Sequence, residues 1–169
     1  IVSRDWSSDV CSSDLRMTLR TVIVGLSWIA ADPAAPASDP VLGTAMPFSH
    51  ASALAAIPEV TVVAGVDIVP ASREKFLATW GSRWPGVKVY DDFRAAIATE
   101  KPDLVCVVTP DHLHKGVVLA ALEAGTRIIF CEKPLSISRA EADEMVAAVR
   151  AAGATMSVNY TRRWLDRRA

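Results

Sequence analysis

Little in this chain points outward to a charged or lipid partner. Its formal net charge is -1, so it carries no electrostatic footprint for nucleic acid or an anionic membrane surface. The closing RRWLDRRA is basic, but it is short and holds an aspartate, as a solvated helix start does. No apolar run reaches the length of a membrane span, and the first residues lack the basic start and long apolar stretch of a secretory signal. Cysteine is scarce: the three residues, at 11, 106 and 131, match neither a metal-ligand spacing nor a disulfide framework, so a reducing cytoplasm is expected. His112 and His114 stand two apart, the wrong spacing for two ligands on one helical face, and no metal is expected. What remains is a chain of 169 residues, 51% hydrophobic, large enough for one domain with a real core.

The first residues do not belong to that core. RDWSSDVCSSDL (4–15) is polar, serine-rich and without either structural period. It resembles an in-frame translation of a sequencing-library adapter. Residues 1–16 are therefore expected to be an artefactual leader, with the biological chain starting at Met17. From Arg20 onward the punctuation becomes regular. Apolar, β-branched runs recur at TVIVGL (21–26), VTVVAGVD (60–67), VKVY (87–90), DLVCVVT (103–109), TRIIFC (126–131) and TMSVN (155–159). Runs that are apolar on both faces suit a parallel sheet covered on each side. Between them lie helical patterns with their own signals: Pro70 and Gly81 around ASREKFLATW, a capping acid before FRAAIATE, Asp111 and Gly125 around DHLHKGVVLAALEA. Ser138 and Glu141 stand at capping-box spacing and Gly153 closes that last helix. Strands alternating with single helices predict an α/β fold with a doubly wound parallel sheet. One proline-rich stretch, 31–47, lies where the first helix should begin and delays helical residues to about Ser49. It reads as a surface loop, with a flap over a ligand as the alternative.

Chemistry is expected where the strands end. After the first strand the turn Gly25-Leu26-Ser27-Trp28-Ile29-Ala30 is a degraded dinucleotide fingerprint. Gly25 fits the first glycine, Ala30 substitutes for the third, and Ser27 replaces the second, where its hydroxyl offers a phosphate a hydrogen bond. A plain strand-to-loop turn fits the same residues. Asp67 ends the second strand, where an acid accepts hydrogen bonds from a ribose or caps the next helix. Isoleucine follows it and no arginine is adjacent, which favours NAD over NADP, with Arg73 a short way downstream. Thr109 and Pro110 end the fourth strand on the ligand edge. Glu132-Lys133-Pro134 leaves the fifth strand on that same edge. Desolvation there brings a lysine towards the range useful for proton transfer, with Glu132 orienting it and Pro134 fixing the exit. A surface lysine capping the strand is the other reading.

The stretch TPDHLHKGVVLAALEAGTRIIFCEKPLSIS (109–138) resembles the central signature of the Gfo/Idh/MocA oxidoreductases, and the resemblance runs from Thr21 to about Trp164. It rests on Thr109-Pro110, His114, Gly125, Glu132-Lys133-Pro134, then Asn159 with Arg162 or Arg163. The resemblance implies a Rossmann-type NAD(P)-binding domain over 17–158. It implies Lys133 as the catalytic residue, and Gly25, Ser27, Ala30, Asp67, Thr109, Pro110, His114, Glu132 and Asn159 on the cofactor side. A sugar, inositol or related polyol would be the substrate. Residues 159–169 are expected to open a C-terminal substrate and oligomerisation domain that the chain lacks, so the fragment alone is expected to be inactive and the complete protein a homo-oligomer. A non-catalytic dinucleotide-binding or regulatory module is the alternative function.

Overall fold

The structure is a computed structural model that describes residues 18–33 and 49–160. The leader, the interior of the 31–47 insertion and the tail with Arg162 and Arg163 lie outside the described residues, so the loop-or-flap question lies there too. In chain order the elements are β1 (Leu19–Val24), α1 (Trp28–Ala31), α2 (His50–Ala55), β2 (Val60–Val66), α3 (Pro70–Trp80) and β3 (Lys88–Tyr90). They continue with α4 (Phe93–Glu100), β4 (Leu104–Val107), α5 (Asp111–Glu123), β5 (Ile128–Glu132), α6 (Arg139–Ala151) and β6 (Thr155–Asn159).

Among the described residues the six strands form one sheet in the order β3-β2-β1-β4-β5-β6, and every pairing is parallel. This is the doubly wound α/β architecture that the alternating runs predict. The inner strands β1, β2 and β4 are apolar towards both faces where the helices cover them, while the edge strands β3 (KVY) and β6 (TMSVN) carry polar residues and are less buried. One face packs Val22, Val24, Val105, Val107 and Ile129 against Ile97, Val117, Ala121 and Met145 of α4, α5 and α6. The other packs Ile23, Val62, Leu104 and Cys106 against Ala30, Leu54, Phe76 and Trp80 of α1, α2 and α3. The β1–β2 register slips between Thr21 and Val22, which pair with Val62 and Ala64. The extra residue, Val63, reverses the alternation along β2. Val62 therefore faces Phe76, while Ala64 and Val66 face the opposite cluster.

The helix starts follow local chemistry, with three departures from the sequence expectation. Asp92 caps α4 by accepting from the Arg94 N–H at 2.9 Å. Asp111 does not cap α5: Pro110 holds the cap position, and Asp111 is the first helical residue, its carboxylate accepting from the His112 N–H at 2.9 Å. A proline already has the extended backbone that a cap needs, which moves the acid one place into the helix. Only one arm of the box at α6 forms: Ser138 Oγ accepts from the Glu141 N–H, while Glu141 Oε2 is buried without a partner among the described residues. The third departure is α1, a single helical turn that precedes the insertion. The Ser49 hydroxyl then donates to the Asp32 carbonyl, which holds the residues on either side of the insertion together.

Gly25 decides how closely this turn sits on the sheet. Its φ is +94°, and a Cβ there would lie 2.5 Å from the Val108 carbonyl oxygen. Gly25→Ala is expected to destabilise the protein by roughly 2–4 kcal/mol, through backbone strain plus that clash. The urea midpoint measures it; a loss below about 0.5 kcal/mol, an ordinary surface effect, would overturn this account of the turn.

Candidate functional site

Parallel register brings the strand ends together. Val24 pairs with Val66 and Val107, Cys131 with Val107 and Val158, and Glu132 with Asn159. Whatever follows each strand therefore emerges on one edge. A cavity of about 1040 Å3 opens there, at the upper end of the roughly 300–1,000 Å3 range of ligand pockets. Its walls bring together Gly25, Ser27, Asp67, Thr109, Pro110, Glu132, Lys133 and Asn159. Ala30 and His114, the other two sequence candidates, are not on its wall. Ala30 is fully buried in the α1–α3 core. His114 is buried, with Nε2 2.8 Å from the Thr109 carbonyl and Nδ1 near the Leu135 carbonyl (3.3 Å) and Cys131 Sγ (3.5 Å). The short contact requires Nε2–H to donate to Thr109. In that tautomer Nδ1 accepts, which matches the Cys131 thiol and not the Leu135 carbonyl, so the ring ties the end of β4 to β5.

At the β2 side, Asp67 holds the glycine turn. Its Oδ2 accepts from the Leu26 N–H at 2.9 Å, and its Oδ1 accepts from the Val69 N–H, also at 2.9 Å, at the start of α3. The cap position of α3 is Val69 and no side chain caps the helix, so this bond closes a turn ahead of α3 and Asp67 is not its cap; the same carboxylate lines the cavity. The Arg73 guanidinium is turned onto the Asp67 backbone carbonyl at 2.6 Å. The Asp67 N–H bonds to the Tyr90 carbonyl at the end of β3, so Asp91 and Asp92 follow onto the same side of the cavity. Ile68, 83% exposed, and Trp28, 65% exposed, add apolar surface at the mouth. The Ser27 side chain makes no cap hydrogen bond to α1.

At the β5 side, Glu132 is the central group. It is 8% exposed, and Oε1 accepts from Asn159 Nδ2 at 2.6 Å and faces His50 Nε2 at 2.8 Å. Its Oε2 accepts from the Lys133 backbone N–H at 3.1 Å. Burial alone would raise this carboxyl, but the bonds from Asn159, His50 and the Lys133 N–H outweigh it and hold it below the ordinary 4.5. Lys133 itself is exposed, and its ammonium has no ion-pair partner among the described residues. The Lys133–Pro134 peptide is cis. Thr109 Oγ1 is buried and lacks a partner among the described residues. Next door, burial and then the Glu132 charge push the Cys131 thiol up to about 12, and burial does the same to Cys106, which favours the protonated thiol at both. Among the described residues no three His, Cys, Asp or Glu side chains gather as a metal site, and no helix is long and apolar enough to cross a membrane.

His50 has no counterpart in the sequence expectation. Its partner is 82 residues away, and the histidine sits in an alanine-rich helix that reads as packing. The signal that was present is its place directly after the Ser49 cap, which fixes the residue at the first helical position.

Residues 19–160 match the Gfo/Idh/MocA family profile, described as an oxidoreductase family with an NAD-binding Rossmann fold. The uncharacterised oxidoreductase YrbE of Bacillus subtilis is 33% identical over 115 residues, 68% of this chain and 32% of that protein. Inositol 2-dehydrogenase of Salmonella typhimurium is 28% identical over 149 residues, 88% of this chain and 38% of that protein. The crystal structure of a probable dehydrogenase from Thermotoga maritima superimposes with a TM-score of 0.67 at 25% identity, over 86% of this chain and 37% of that one. The chain spans about a third of the length of the curated relatives it matches.

The Glu132 network makes stability depend on pH in one direction. A carboxyl held low in the folded state contributes stability above its unfolded value of 4.5, and that contribution is lost as pH falls through the folded value. Urea midpoints taken from roughly pH 6 down to pH 3 should fall more steeply for the wild type than for Glu132→Gln. Parallel curves would remove Glu132 from the acid response.

Proposed function

The chain belongs to the Gfo/Idh/MocA oxidoreductases, and on that footing we propose that it is the cofactor half of an NAD-dependent enzyme acting on a sugar, inositol or related polyol. The observation that supports this most directly is the meeting of Glu132 and Lys133 with Gly25, Asp67 and Thr109 around one cavity. The residues present suit a dinucleotide. The turn from Gly25 to Ile29, with the uncapped Ser27 hydroxyl, suits the phosphates, and Asp67 suits the ribose at the end of β2. The unpartnered Thr109 hydroxyl, Pro110 and Asn159 suit the nicotinamide end.

A bound nicotinamide supplies the acceptor or donor of hydride. The chain's own part is to manage the proton that leaves or joins a substrate hydroxyl, and Lys133 Nζ is the group we assign to it. Glu132 holds the Lys133 backbone on one side, so the ammonium projects from a fixed origin, and its three donors have no ion-pair partner among the described residues. Substrate selection and assembly into a homo-oligomer belong, in this reading, to a second domain following residue 158. The similarity to inositol 2-dehydrogenase of Salmonella typhimurium supports the polyol class.

NAD is the cofactor this reading prefers. The adenosine end of the cavity would face Asp67, Asp91 and Asp92, and Arg73 is occupied on the Asp67 carbonyl. A 2′-phosphate would meet the Asp67, Asp91 and Asp92 carboxylates there.

Both statements have direct tests. NADH should bind at least about tenfold more tightly than NADPH, a difference of about 1.4 kcal/mol in a fluorescence titration. Equal or tighter binding of NADPH would reverse the assignment. Lys133→Ala in the complete protein should keep NADH binding while kcat on accepted polyols drops about 10²–10⁴-fold. Unchanged turnover would remove Lys133 from the chemistry, and NADH binding without turnover in the wild type, across a polyol panel, would favour a non-catalytic binding module.

A further inference from the structure

The Lys133 side chain leaves the fold from a backbone that one carboxylate holds, so what fixes that carboxylate fixes the lysine. Glu132 Oε1 faces two donors, Asn159 Nδ2 at 2.6 Å and His50 Nε2 at 2.8 Å. They differ in footing. Asn159 is the last residue of β6, an edge strand of the sheet. His50 is 6% exposed, and its ring packs on Phe130, two residues before Glu132 on the same face of β5, with centroids 5.2 Å apart. Its helix start is fixed by the reciprocal Ser49–Ser52 capping box. The rigid donor is therefore the histidine.

We infer that His50 is a positioning residue for Lys133: by anchoring Glu132 Oε1 it aims Oε2 at the Lys133 N–H and so sets where the lysine side chain begins. The inference rests on the role proposed for Lys133. An ionised carboxylate only accepts, so Nε2 carries the proton in this contact. Without that donor, Glu132 keeps only the edge-strand amide on Oε1, and the carboxylate is free to turn about its side chain. A displacement of about 1 Å at a reacting group lowers turnover on the order of 10²-fold.

The test compares the wild type with His50→Phe, which keeps a ring on Phe130 and drops the donor, and with His50→Gln, whose Nε2 reaches the same place as a donor. In nitrogen-15 spectra of the 169-residue chain without cofactor, the wild type should show a solvent-protected imidazole N–H of His50 and a downfield Lys133 amide. The Phe form should lose the downfield position of that amide and the Gln form should restore it. In the complete protein, kcat on accepted polyols should fall roughly 10–100-fold in the Phe form with KM for NAD unchanged, and recover in the Gln form. A wild-type His50 N–H that exchanges freely with solvent overturns the inference, and this measurement needs no variant to fold. So does a Lys133 amide, or a kcat, that is the same in the Phe form as in the wild type. NADH titration of the same samples reports on the cofactor reading separately: wild-type protein that binds no NADH would sink that reading and leave the amide result standing.

Discussion

Parallel pairing is the constraint from which the rest of this molecule follows. A strand whose neighbours all run its own way can be reached only by a connection that crosses back over a face of the sheet. With six such strands both faces fill with helices, and every strand ends on the same edge. The position of the cavity is then geometric, because chain direction reverses its progress across the sheet at β1, between β2 and β4. Gly25, Asp67, Thr109 and Lys133 come from segments far apart in the sequence, and they meet because each simply follows a strand.

The two ends of the sheet treat a buried carboxylate differently, and the difference separates structure from chemistry. At the opposite end Glu100, 7% exposed, accepts from Lys88, Tyr90 and Arg20, spanning both of its oxygens. Burial would raise its carboxyl, but the bonds from Lys88 and Tyr90 and the nearby cations hold it low. All its donors are spent on it, and the cluster clamps α4 to β1 and β3. Glu132 is satisfied instead by an imidazole, an amide and a backbone N–H, and none of these is the cation next to it in sequence. Among the described residues the Lys133 ammonium has no ion-pair partner, and Lys133 lines the cavity. A buried carboxylate needs such full satisfaction to remain ionised, and here it is reached without consuming the reactive group.

How much of this could be read in advance depended on the range of the interaction. The strands were legible because β-branched runs declare themselves locally, and so was their common edge, because strands separated by single helices leave few topologies. The capping of α5 was misread by one residue because Pro110 and Asp111 both carry start signals, and only the backbone decides between them. α1 is four residues long, too short to show a helical period. The phase reversal at Val63 changes no residue type and leaves no mark in the sequence. His50 and Glu132 are invisible as a pair for the simplest reason: nothing across a sequence separation of 82 says that the start of α2 meets the end of β5. His114 shows the converse case, a polar residue at the ligand edge whose two ring nitrogens are already committed inside.

The bond between the Ser49 hydroxyl and the Asp32 carbonyl makes a hinge-free doorway in the first crossover. Asp32 and Ser49 are thereby held side by side, with Lys75 reaching across to the Asp32 carboxylate at 2.7 Å. Closing a loop on fixed ends depends only weakly on its length, about 0.6 kcal/mol for each doubling. Length between these two residues therefore weighs little on closing the crossover, and α2 with its histidine starts from a fixed post.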